Sequence, residues 1–296
     1  MSTSSSLLIR FLILPIICTF SDSGLSYAES NFNSDESLYN YARTLDLTAS
    51  WPLFDKLVAS DPRKYIGERA KMFAQNGASE RALNDFNEAV KLDPNLWLSA
   101  RASFLLSSGA ISGAQEDWQT LINLRKNNLD QLQPGTKEFS RGTSELARAY
   151  FARGLASGSS SPEALSDFKK AANLDLSFAE SYLDQCEKLK LDFDCLPILN
   201  RLVEKDPEKY LTRRAEYFKK HQQLGLALKD YNQAVKKSRK LGMDEGYSPK
   251  AWAYTQRGIY YRFIGESKSA DEDMKKAMVF ERLQKMFCGF SAYPVH

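Results

Sequence analysis

Arg63–Leu96 reads RKYIGERAKMFAQNGASERALNDFNEAVKLDPNL, and this stretch decides the fold. Two segments of helical apolar period are split by Asn76-Gly77 and closed by Asp93-Pro94. Within them Ala70, Ala82, Phe86 and Ala89 stand at steps of 12, 4 and 3. The same steps separate Ala102, Ala114, Trp118 and Leu121, then Ala215, Ala227, Tyr231 and Ala234, then Gly258, Ala270, Met274 and Ala277. A fifth copy, Ala149, Ala164, Phe168 and Ala171, keeps the 4 and 3 after a first step of 15, with the extra residues assigned to the Gly/Ser loop Ala156–Pro162.

The spacing has a mechanical meaning. Small residues on two successive helices let them approach closely, and the large residue one turn away fills the space beside the crossing. A proline after the second helix ends it and opens the next turn. Such a hairpin cannot bury its apolar face alone and must stack on neighbours.

These residues resemble the tetratricopeptide repeat (TPR). In the best copy Ile66, Ala70, Phe73, Gly77, Ala82, Phe86, Ala89 and Pro94 occupy the family's positions, and Tyr254, Gly258, Tyr261, Gly265, Ala270 and Ala277 do so in the last. The position that is a leucine in the family is Arg in most copies (Arg69, Arg101, Arg148, Arg214, Arg257). The resemblance implies an all-α, right-handed superhelix of antiparallel helix pairs. A longer duplication overlies the repeat: Pro52 through Asp61-Pro62 and Lys64-Tyr65 to Ala89-Val90 recurs 145 residues later, at Pro197 through Asp206-Pro207 and Lys209-Tyr210 to Ala234-Val235. About seven pairs are expected, at 36–60, 63–94, 97–128, 141–176, 180–205, 208–240 and 250–281, after a short linker at 29–35 and before a C-terminal cap at 282–296.

The first 28 residues belong to another text. Leu7–Phe20 is apolar but for Arg10, too short for a comfortable span, and is followed by small Ser26 and Ala28. This reads as a signal peptide cleaved after Ala28, with an uncleaved anchor or a plastid transit peptide as alternatives. Ile17 before Cys18 disfavours a lipoprotein anchor. The expected compartment is exported, a bacterial envelope or a eukaryotic secretory pathway.

The composition narrows the function. A net charge of +3 is not the footprint of a nucleic-acid binder. Two histidines, one of them terminal, leave His221 as the sole internal candidate for nucleophilic catalysis, and its setting among Lys219, Lys220 and Gln222 reads as a solvated helix end. No CxxC, HExxH or calcium-loop pattern is present, so neither metal nor cofactor is expected. Cys186 and Cys195 flank one inter-helix turn and would bridge only if their Cα atoms came within about 7 Å. The basic run Lys236–Lys240 suits a helix C-terminus.

What remains is a groove. The resemblance places the first helix of each pair on a concave face, which offers Lys64, Lys71, Tyr150, Arg153, Lys209, Arg213, Lys219, Lys220, Trp252, Arg262 and Phe263 to a partner. Glu68 and Glu216 are the only acidic residues at those positions. Such a bias favours an acidic extended or helical segment anchored on aromatics, and implies that Lys209, Arg213 and Lys220 tolerate charge reversal without loss of stability. The carboxylate clamp of some TPR proteins is absent, since Gly67 and Lys71 stand at its positions. The second class of function is a self-associating structural subunit of an envelope or secretory assembly.

Overall fold

The computed structural model describes residues 32, 34–158, 161–189, 195–239 and 248–291, with side chains through 286. The expected leader, 1–28, lies outside them. Among the described residues there are fourteen α-helices and no strand. They are α1 (Asp35–Ala42), α2 (Leu47–Ser60), α3 (Pro62–Gln75), α4 (Ser79–Leu92), α5 (Pro94–Ser107), α6 (Ile111–Leu129) and α7 (Lys137–Ala156). The remainder are α8 (Pro162–Leu174), α9 (Ala179–Leu189), α10 (Leu196–Lys205), α11 (Pro207–Lys220), α12 (Leu224–Lys237), α13 (Pro249–Phe263) and α14 (Ser267–Ser291). The described chain is all-α, with successive helices packing as pairs, and it falls into two compact units divided at Asp117 within α6.

The boundaries follow from side-chain chemistry. Each Asp-Pro step places a proline, which has no N–H to lose, in the first turn of a helix. The aspartate before it accepts the N–H three residues on, Asp61 from Lys64 at 3.1 Å, Asp93 from Leu96 at 3.1 Å and Asp206 from Lys209 at 3.2 Å. Gly77, Gly109 and Gly265 end first helices at φ of 75°, 83° and 85°, where a β-carbon is unfavourable. In α11 that place is taken by Gln222 at φ 59°.

In the first unit Phe54, Leu57, Tyr65, Ala70, Phe73, Ala82 and Phe86 form the core, and Ile66, Ala89 and Trp97 continue it. In the second, Phe168, Tyr182, Leu202, Leu211 and Ala234 form one cluster and Ala215, Phe218, Ala227, Tyr231 and Tyr260 another. The small residues at the crossings are all but sealed: Ala70, Ala82, Ala215 and Ala227 are 0% exposed.

The arginines have a structural explanation. Arg69 forks onto Asp85 at 2.7 and 2.9 Å, Arg101 onto Asp117 at 2.8 and 2.6 Å, Arg214 onto Asp230 at 2.7 and 2.8 Å, and Arg257 onto Asp273 at 2.6 and 2.8 Å. Each aspartate immediately precedes the large residue beside the crossing, on the second helix of the same pair. The third donor of each guanidinium reaches the preceding pair, to Asp55, Asn87, Asn200 and Asn232. A leucine at this position would seal one hairpin; the arginine ties it to its neighbour as well. Bonding to the aspartate raises the Arg69 and Arg257 guanidinium pKa values further above their ordinary range.

The fourth pair, α7 and α8, departs from the sequence expectation. Its forked arginine is Arg153, on Asp167 at 2.7 Å twice, with a third bond to Gln119, while Arg148 is exposed. Its crossing residue is Gly154, where an added β-carbon would stand 2.8 Å from the Phe168 ring and 3.2 Å from the Ala164 carbonyl oxygen. Gly258 faces Ala270 and Met274 in the same way. The extra length is therefore taken up in α7, which has 20 residues against 14 in α3 and α11, and Ala149 is not the crossing.

Candidate functional site

Six of the eleven predicted residues, Lys209, Arg213, Lys219, Lys220, Trp252 and Phe263, line one groove of about 800 Å³ in the second unit. Its floor is α11 and its walls are α9 and α13. Helical spacing explains the convergence. On α13, Trp252, Gln256, Ile259 and Phe263 follow one another by four, three and four residues, so they share a face. Trp252 is 48% exposed and Phe263 55%, an open apolar wall. Lys219 Nζ stands 5.7 Å from the centre of the Phe263 ring.

The electrostatics differ from the expectation. The opposite wall contributes Asp184 and Glu187, and Glu180, outside the lining, precedes them so that the three recur by four and three residues along α9. Arg213 bonds all three, to Asp184 at 2.8 Å, Glu187 at 3.2 Å and Glu180. Lys209 pairs with Glu180 at 2.9 Å, and Lys219 pairs with Glu216. The groove lining thus holds four cations and three carboxylates rather than a large basic excess. Burial pushes the Glu180 carboxyl up, but bonds from Tyr210 and Lys209 and the Arg213 charge outweigh it and hold the group below its usual range. Lys209, bonded to Tyr210 and Glu180, is held above the ordinary lysine range. Arg213 joins α11 to α9, so its charge reversal carries a folding cost that the sequence did not show.

The other five predicted residues do not line this groove. Lys64 and Lys71 belong to the first unit, where Lys64 lies 3.9 Å from Glu36, and Lys71 pairs with Glu68 at 2.8 Å and sits 5.0 Å from the Trp97 ring. Tyr150 is buried beneath Lys126, Arg153 and Lys170, each within 5.7 Å of its ring. Arg153 is held by Asp167, and Arg262 stands 3.5 Å from Asp271. The carboxylates of α9 were missed because that pair is degenerate and gives no register from which to count inward positions. Their signal was the four-and-three spacing itself.

The remaining chemistry is quiet. Cys186 and Cys195 are buried thiols. His221 caps the end of α11 with its ring 4.3 Å from that of Tyr217. Lys236 and Lys237 lie in the last turn of α12. Among the described residues no cluster of histidine, cysteine or carboxylates is placed to hold a metal, and no helix is long and apolar enough to cross a membrane.

No family model matches the sequence, and no curated protein matches it. Among solved structures the chain is similar to MamA, at 17% identity over 72% of this chain and 94% of that one, with a TM-score of 0.29. It is also similar to a putative kinesin light chain with nearly identical TPR-like repeats from Podosopora anserina, at 16% identity over 73% and 93%, with a TM-score of 0.30. Yeast Tom70 is 12% identical over 93% and 98%, with a TM-score of 0.25. TM-scores this low transfer neither shape nor partner to the present chain.

Proposed function

We propose that this protein is a non-catalytic interaction scaffold of an exported compartment, and that the groove of α9, α11 and α13 receives an acidic protein segment. The observation that carries the reading is the convergence of Trp252 and Phe263 with four cations on one open concavity. Large exposed aromatics flanked by paired charges provide anchors that lose little entropy on binding. The partner's carboxylate exchanges with Asp184 and Glu187, whose side chains are 57% and 64% exposed and therefore the easiest of the three to displace from Arg213. Lys209 and Lys220, at the rim, supply the attraction at longer range.

The test is affinity capture from the exported fraction with wild type, Trp252→Ala/Phe263→Ala and Lys209→Glu/Lys220→Glu, each washed at low and high salt. Proteins with acidic segments, retained by wild type, lost from both variants and released by salt, support the groove. The same capture by all three forms refutes it, provided the variants melt with wild type.

A further inference from the structure

The last helix has a face that nothing among the described residues covers. In earlier pairs the second helix is covered by the next pair's first: α4 by α5, α8 by α9 and α12 by α13. α14 packs on α13, where Asp273 bonds Arg257, and Ala277 and Gln284 are buried as well. The other side carries Met278, Val279, Leu283 and Met286, which are 40–55% exposed. End repeats of soluble solenoids ordinarily turn a polar face outward. This one is apolar and cationic.

The order around the helix is informative. At about 100° per residue, Met278, Arg282, Lys275, Met286, Val279 and Leu283 fall within an arc of about 140°, and Lys285 lies about 20° outside it beside Met278. All are exposed. Lys275, Arg282 and Lys285 make no ion pair with any described residue, unlike the groove cations. The same arc also carries Asp271, 3.5 Å from Arg262, and Glu272, about one turn before Lys275; from Lys275 to Met286 the one carboxylate is Glu281, further round on the flank. Cations thus alternate with apolar side chains on a single face.

We propose that this face of α14 lies on the surface of a bilayer containing anionic phospholipid. Flexible methionine and leucine side chains enter between headgroups, while the long stems of Lys275, Arg282 and Lys285 carry their charges out to the phosphates. The attraction is the general one between basic residues and an anionic leaflet. A second copy docked on the same face would set these cations against themselves, an arrangement that charge repulsion opposes. The helix rests on the membrane rather than crossing it, since α14 does not meet the length and apolarity of a span. The inference is independent of the groove, which occupies other helices.

The experiment is co-sedimentation of the full chain with vesicles of phosphatidylcholine alone and of three parts phosphatidylcholine to one part phosphatidylglycerol, at low and high salt. The wild type sediments with the anionic vesicles and is released by salt. Lys275→Glu/Arg282→Glu/Lys285→Glu lowers the partition coefficient on the order of a hundredfold, and Met278→Ser/Met286→Ser lowers it without altering the charge. Binding through the apolar leader would show on both vesicle types and survive either set of substitutions. Failure of the wild type to prefer anionic vesicles overturns the proposal. So does equal binding by both variants, or a concentration-dependent mass in solution that the Met278→Ser/Met286→Ser variant abolishes.

Discussion

Replacing Asp230 by Ala isolates what the arginine fork contributes. Asp230 has 3% of its side chain exposed and Arg214 has 19%. The substitution leaves a mostly buried guanidinium with Asn200 as its remaining bonded partner of the three contacts. Breaking a fully buried pair costs about 3–5 kcal/mol. Because Arg214 retains some solvent, we expect roughly 2–4 kcal/mol, which in a unit of this size lowers Tm by roughly 5–15 °C. The companion Arg214→Leu/Asp230→Leu removes both charges and fills the site with apolar side chains, so it should cost less than about 1.5 kcal/mol. Urea unfolding followed by circular dichroism measures both, and hydrogen exchange across α11 and α12 shows whether the loss is local. The reasoning fails if Asp230→Ala costs less than about 1 kcal/mol. It also fails if the double variant is as unstable as the single one, for then the pair was not the source of the loss.

Three further outcomes follow from local geometry. Gly154→Ala drives a methyl into the Phe168 ring and should destabilise by about 1–3 kcal/mol, whereas Gly225→Ala, in a helix with nothing within 4 Å, should stabilise by about 0.5–1 kcal/mol; thermal melts separate the two. Gln222→Gly relieves a left-handed residue at φ 59° and should raise stability by about 1 kcal/mol, an unchanged or lower urea midpoint contradicting it. The Glu180 carboxyl is held below its usual value in the fold, so its contribution is present above that value and lost as pH falls through the lowered one. Unfolding midpoints measured from about pH 6 to about pH 3 should show a shallower acid limb in Glu180→Gln, and superimposable curves would rule the linkage out.

Much of this architecture was written in the chain. The 12, 4 and 3 steps fix which residues face the crossing because an α-helix repeats every 3.6 residues, whatever surrounds it. Asp-Pro and Gly set the ends of helices through caps and backbone preference, which are equally local. The alignment of Trp252, Gln256 and Phe263 on one face was legible for the same reason. What the sequence left open depends on how one helix is offset against another. That offset moved the crossing of α7 and α8 from Ala149 to Gly154, because a longer α7 changes which turn meets Phe168. It brought Glu180, Asp184 and Glu187 of a degenerate pair onto Arg213, turning an expected basic groove into one of matched charges. It also left Met278 and Leu283 uncovered on α14, where no following helix packs among the described residues. Periodicity names the face a residue occupies; only stacking decides which charge, ring or solvent that face meets.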